Sequence, residues 1–293
     1  MFYSPLRYPG GKRKLANYIA NTVELNSLND ATYIEVYAGG SSVALSLLFQ
    51  RFVNHIHIND FDPAVYNFWH SVLYETEELC KRIHDVKINM DNWNKYKDIV
   101  YNNGLEPIEQ AIAFFFLNRT NRSGIIKAGV IGGKNQSGKW KMDVRFNKDD
   151  LIRRIYKIAR HKNSITLTQR DACQLLKKDL KKYGKESLVY LDPPYYIKGG
   201  DLYTHNYQHD DHVKLAKQIS RIKQHWIVSY DNVDVLSELY EDYRRTYYGI
   251  SYTAQNKYEG NEMMAFSNDL KIIDVENPTK IQLLDRSQLQ LFN

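Results

Sequence analysis

Leu188-Val189-Tyr190-Leu191-Asp192-Pro193-Pro194-Tyr195 joins an apolar run to an acid, two prolines and an aromatic ring. Ser187–Leu191 reads as a strand, and the prolines end it, leaving carbonyl oxygens without ladder partners. The Asp192 carboxylate and the Pro193 carbonyl then form a site made of acceptors alone, and Tyr195 supplies a flat wall. Such a site suits a planar group bearing an NH2. The exocyclic amine of adenine is a poor nucleophile because its lone pair is delocalised into the ring. Two acceptors that hold its hydrogens favour a tetrahedral nitrogen and free that pair, which is electrostatic preorganisation without a covalent intermediate. A strand-ending turn with a capping Asp is the plainer alternative.

Strand and helix signals alternate around this stretch. Leu15, Ile19 and Val23 recur at helical spacing after Tyr8-Pro9-Gly10-Gly11-Lys12, and Thr32–Tyr37 reads as a strand running into Gly39-Gly40. A helix follows from Ser41 to about Gln50, then a strand over Val53–Asn59 that ends at Asp60. Between about 70 and 160 the pattern becomes mostly helical, with a polar Gly- and Lys-rich stretch over Asn118–Asn147 long enough to be functional or mobile. Alternation resumes with strands at Ser164–Thr168, Ser187–Leu191 and His225–Tyr230, helices from Ala172 and His209, and a last strand at Glu262–Ser267. The tail beyond Asp274 is expected to be peripheral. The pattern predicts an α/β sheet with helices on both faces. Ligands gather at the carboxyl ends of strands in such sheets. Gly39-Gly40, Asp60 and Asp192–Tyr195 all lie at such ends and are expected to converge.

Composition excludes more than it identifies. With 43% hydrophobic and 25% charged residues, the chain is neither disordered nor fibrous. A net charge of +6 permits a polyanionic partner without requiring one. The 23 tyrosines suit stacking and interfaces. The longest apolar run, Ala111 to Leu117, is far too short for a membrane span, and the opening residues show no apolar signal segment. Cys80 and Cys173 stand far apart without metal-ligand neighbours, so neither a disulfide scaffold nor a zinc site is expected. His209-Asp210-Asp211-His212 opens a helix, where acids favour the dipole, and no metal is assigned to it. A soluble protein of a reducing, cytoplasmic compartment is the expectation.

Asp192–Tyr195, the opening Arg7-Tyr8-Pro9-Gly10-Gly11-Lys12 and the turn Glu35-Val36-Tyr37-Ala38-Gly39-Gly40-Ser41 resemble the D12 class of N6-adenine DNA methyltransferases, the Dam-like family of bacteria and phages. The resemblance covers roughly residues 2 to 268, in the order of the family's α group. It implies a Rossmann-like S-adenosylmethionine-dependent methyltransferase sheet with a mostly helical DNA-recognition insert. The implied boundaries are a catalytic domain at 1–69 and 160–270, a target-recognition insert at 70–159, and a tail at 271–293. The implied reaction moves a methyl group from S-adenosylmethionine to the N6 amine of a flipped adenine in duplex DNA.

The same resemblance implies roles. Asp192, Pro193, Pro194 and Tyr195 are the catalytic tetrapeptide, with Tyr195 stacking on the target base. Tyr8, Lys12, Glu35, Tyr37, Gly39, Asp60, Asp171 and Asp192 are the cofactor-binding positions. Lys12 is there a point charge for the cofactor carboxylate, Asp60 an acceptor for its ribose, and Asp171 a contact near its adenine. Each has a plain rival: a solvated Lys12, and an N-cap at Asp60 before Pro63 or at Asp171. Tyr37 and Ser41 depart from the Phe and final Gly of the family's cofactor turn. Ser229-Tyr230-Asp231-Asn232 borders the base pocket or is a plain turn, and Glu262–Asn268 is mainly structural.

Asn118, Arg119, Asn121, Arg122, Lys139, Lys141 and Arg145 are the candidate DNA contacts. Arg and Asn suit base edges and Lys suits phosphates. Lys177, Lys178, Lys181, Lys182 and Lys185 read instead as a solvated helix face. Double-stranded DNA is the expected partner of a monomer or weak dimer, and the family allows a cognate restriction endonuclease. Rival readings are methylation of another planar amine (cytosine N4, RNA adenine, a glutamine amide) and a catalytically silent DNA-binding module.

Overall fold

The computed structural model describes residues 2–8, 12–102, 104–197, 207–253 and 257–292. Seven strands, β1 (Thr32–Glu35), β2 (His55–Asn59), β3 (Ile165–Thr168), β4 (Leu188–Leu191), β5 (His225–Asp231), β6 (Arg244–Thr253) and β7 (Lys257–Phe266), form one sheet in the order β3-β2-β1-β4-β5-β7-β6. The first five are parallel to their neighbours, whereas β7 runs antiparallel to both β5 and β6. Strand order reverses between β1 and β4, where Glu35 is in register with Tyr190. A crevice therefore opens beyond the carboxyl ends of those two strands, the usual seat of a ligand in such sheets.

Helices cover both faces. On one lie α1 (Ala16–Leu25), α2 (Ser42–Phe49), α3 (Pro63–Tyr74), α4 (Thr76–Asp85), α5 (Met90–Ile99), α6 (Pro107–Thr120) and α7 (Lys148–Ala159), sharing one apolar core with β1 and β2. Ala111–Leu117 of α6 is buried on every side, so the longest apolar run of the chain is a core helix. Phe68 of α3 stacks on Phe115 of α6, their ring centroids 5.3 Å apart. The opposite face carries a helical run at 172–182 and the helix His209–Ile219 over a second core that includes Val189, Leu191 and Val228.

The strands expected from alternation are present: β1 to β4 are shorter by a residue or two, β5 runs one residue further to Asp231, and β7 begins earlier than expected, at Lys257. β6 was not anticipated: Arg244-Arg245 and Gly249 obscure its aromatic and β-branched residues, and as the sheet edge it needs only one neighbour. The segment after Asp274 is less peripheral than expected. Asn21 of α1 donates to the Gln282 carbonyl at 2.8 Å and accepts from the Leu284 N–H at 3.0 Å, and Leu289 is buried.

Candidate active site

The glycine turn after β1 is assembled from three sides. Gly39 has φ +43°, a region that L side chains rarely occupy, and an added Cβ there sits 2.6 Å from the Tyr8 ring. The close approach that glycine permits is thus made by Tyr8. The Gly39 N–H donates to Asp60 Oδ2 at 2.8 Å, and its carbonyl accepts from the Trp69 indole at 2.9 Å. Ser41, where the resemblance expects glycine, is held at φ +45° at the start of α2. Pro9-Gly10-Gly11 of the opening motif lie outside the described residues.

Asp60 is nearly buried and uses both oxygens on backbone, the second accepting from the Asp62 N–H at 3.0 Å. Burial pushes its carboxyl up to about 7. It does not cap α3: Asp62 does, accepting from the Ala64 N–H at 2.8 Å. Asp171 caps the helical run that begins at Ala172. Glu35, at the end of β1, is buried with Oε2 unpartnered among the described residues, and burial raises its carboxyl well above the ordinary range. Tyr37 hydrogen-bonds hydroxyl to hydroxyl with Tyr207 at 2.9 Å.

Asp192 projects from the end of β4 beside this turn. Its Oδ1 accepts from Lys12 Nζ at 2.8 Å and from the Ser229 hydroxyl at 3.1 Å, and 18% of its side chain remains exposed. Ser229 is itself bonded to the Tyr190 hydroxyl at 2.8 Å. Lys12 is 3% exposed and also donates to the Tyr195 hydroxyl at 2.9 Å. Burial alone lowers its pKa, but Asp192 and Glu262 overcome that and hold it well above its ordinary value. For Asp192 burial prevails, raising its carboxyl despite Lys12. Pro193 and Pro194 are buried, and Tyr195 is 4% exposed. Asp231, at the end of β5, accepts from the N–H groups of Tyr196 and Ile197 at 2.9 and 3.1 Å, so the chain leaving the tetrapeptide is anchored.

The structure brings Tyr8, Lys12, Glu35, Gly39, Asp60 and Asp192 to one crevice. Lys12 is buried against the tetrapeptide, on Asp192 and Tyr195, rather than solvated. Glu262, expected to be mainly structural, is fully buried and accepts from Tyr195 at 2.9 Å through Oε1 and from Tyr248 at 2.8 Å through Oε2, which ties it to the tetrapeptide. The signal was an acid heading Met263-Met264-Ala265-Phe266, since a charge in a core strand needs a partner.

In the polar loop the structure departs from expectation. Asn118 is buried and closes its amide on Arg7, accepting from its N–H at 2.8 Å and donating to its carbonyl at 2.7 Å. It also donates to the Gly124 carbonyl at 3.0 Å. Asn121, fully buried, accepts from the Trp93 indole at 2.7 Å and donates to the carbonyls of Ile125 and Ile126. Neither amide has an edge left for a base. Arg119 spends its guanidinium on the carbonyls of Arg145 and Pro5. Burial, then Arg7, Arg154 and Arg145, push its pKa down to about 9, so it stays charged at neutral pH. Arg122, Lys139, Lys141 and Arg145 are exposed, as is Trp140 between the two lysines. Gln136 fastens this loop by donating to the Ile131 carbonyl at 2.8 Å and accepting from the Met142 N–H at 2.9 Å.

Among the described residues no three His, Cys, Asp or Glu side chains gather as a metal site, and no helix is long and apolar enough to cross a membrane. His209-Asp210-Asp211-His212 opens its helix, Asp211 closing a capping box with Gln208. The model of the D12 class of N6 adenine-specific DNA methyltransferases matches residues 8–257. The chain is 27% identical over 198 residues to a DNA adenine methylase of Haemophilus influenzae, covering 65% of this chain and 63% of that protein. It is 22% identical over 210 residues to the modification methylase StsI of Streptococcus sanguinis, covering 67% of this chain and 29% of that one. The match therefore spans less than two thirds of either relative.

Proposed function

The chain belongs to the D12 class of N6 adenine-specific DNA methyltransferases, and we propose that it methylates the N6 amine of an adenine in a specific duplex DNA sequence, with S-adenosylmethionine as donor. The observation that carries this reading is the place of Asp192, a partly exposed carboxylate at the β1/β4 reversal beside the Gly39 turn. The crevice fits the cofactor: Glu35 Oε2 is a buried polar atom without a partner among the described residues, and the acid groups at the strand ends suit a ligand rich in hydroxyl and amine groups.

In this proposal Tyr8, the Gly39 turn, Glu35 and Asp60 hold the cofactor, and Tyr37 borders it. Bound there, S-adenosylmethionine supplies an electrophilic methyl on a sulfonium. Asp192 and the Pro193 carbonyl accept the two amine hydrogens, steering the nitrogen lone pair out of the ring plane. The target base leaves the stack to reach them. The region at 70–159 acts as target-recognition insert between catalytic segments 1–69 and 160–270. Arg122, Lys139, Lys141 and Arg145 meet the DNA, and the protein works in the cytoplasm.

Expression in a methylation-deficient bacterial host, with modification-sensitive sequencing of its genomic DNA, tests the proposal beside an Asp192→Ala variant. N6-methyladenine at one short motif, absent in the variant, is expected. Cofactor binding without any DNA mark points instead to RNA or a protein amide as acceptor.

A further inference from the structure

Lys12 lies between two carboxylates: Asp192 Oδ1 at 2.8 Å and Glu262 Oε1 at 3.4 Å. Lys12 and Glu262 are sealed from solvent, while Asp192 alone keeps an exposed face. The three elements come from distant parts of the chain: the 3₁₀ turn Lys12–Leu15, the end of β4, and β7. One ammonium and two carboxyl groups thus share the cluster, a formal charge of −1 among these three side chains. A Lys12–Asp192 pair alone is neutral, and its carboxylate has little left to offer a developing positive charge.

We infer that Glu262 is a positioning residue for charge: it neutralises Lys12 from behind, leaving the negative charge of Asp192 for a cation in the crevice. This inference rests on the methyltransferase reading and deepens it. Two cations of that reaction meet such a carboxylate, the sulfonium of the donor before transfer and the N6 nitrogen during it. Methyl transfer breaks the S–CH3 bond, leaves its electron pair on sulfur and forms the N–CH3 bond, so the positive charge passes from sulfur to nitrogen, and the amine then releases a proton to water. Lys12 orders the site, since its ammonium fixes Asp192 and Tyr195 together, but it opposes both cations. Glu262 removes that opposition. Its bonds to the Tyr195 and Tyr248 hydroxyls fix both of its oxygens.

S-adenosylmethionine and S-adenosylhomocysteine differ at the sulfur, cationic in the first and neutral in the second, so the ratio of their affinities reads the charge there without any turnover. Calorimetry on the full chain, Glu262→Gln, Lys12→Gln and Tyr248→Phe measures it. Glu262→Gln keeps an acceptor for the hydroxyls and loses the charge, so preference for the sulfonium ligand falls at least threefold. Lys12→Gln shifts the preference the opposite way, and Tyr248→Phe leaves it within a factor of two. A purely architectural Glu262 moves neither ratio, or moves both in the same direction, and either result overturns the inference. Should Glu262→Gln not fold, the direction of the Lys12→Gln shift decides. A parent chain that binds neither ligand overturns the methyltransferase reading and this inference with it. A chain that binds both, with an unmoved ratio in the variants, overturns the inference alone.

Discussion

Lys12 Nζ and Asp192 Oδ1 meet at 2.8 Å across 180 positions of sequence, with Lys12 almost wholly withdrawn from water. Removing the cation leaves Asp192 and Glu262 facing each other uncompensated. Lys12→Met is expected to cost about 3–5 kcal/mol of unfolding free energy. Lys12→Gln, which keeps donors for Asp192 and Tyr195, is expected to cost about half of that. Urea unfolding of the two variants checks both values.

Asp60 gives stability a pH dependence of definite sign. Burial places its folded-state pKa at about 7, above the ordinary 3.8 of an exposed Asp. Between those values the native state binds the extra proton, so this group's contribution is full below pH 3.8 and is lost as pH rises through 7. The depressed values of His57 and His212, each about 4, act in the opposite sense over part of that range. The Asp60 share is isolated as the difference between the parent and Asp60→Asn. That difference in unfolding free energy is expected to shrink steadily from pH 4 to pH 7, and a flat difference refutes the assignment.

Asn118 is a structural tie. Asn118→Ala strands the Arg7 N–H and the carbonyls of Arg7 and Gly124, and is expected to destabilise the fold by about 1–3 kcal/mol. Thermal unfolding measures the loss. A variant of unchanged stability that loses only DNA sequence preference restores Asn118 as a base reader.

Trp140 offers an optical handle on the basic loop. It is 61% exposed, whereas Trp69, Trp93 and Trp226 are 0%, 2% and 2% exposed. Acrylamide is expected to quench a single accessible class of tryptophan fluorescence that disappears in Trp140→Phe, and duplex DNA is expected to shield it. Lys139→Ala with Lys141→Ala is expected to lower the salt dependence of DNA binding by about one phosphate contact each.

The parts of this molecule legible from sequence are those where a local rule and the final environment agree. Thr32–Glu35 running into Gly39, and Leu188–Leu191 ending in two prolines, carry strand and turn signals that tertiary packing leaves intact. Asn118 and Asn121 were misread because residue type alone does not distinguish an amide that reads a base from one that closes on backbone. The difference lies in Arg7 and Trp93, far away in sequence. Glu262 escaped because its partners, Lys12 and Tyr195, lie 250 and 67 positions away, and Tyr248 belongs to the strand that went unseen.

That same separation has a consequence for how the molecule comes into being. Chains are synthesised from the amino end, so Lys12 emerges long before Asp192 and longer still before Glu262. Until both acids arrive, the ammonium group has no reason to leave water, and the crevice has no charge pattern to offer a ligand. Closing contacts of such long sequence separation is slow relative to forming local helices. The site therefore comes into existence only with the completed sheet, and a nascent or truncated chain ending before β7 has no means of assembling it.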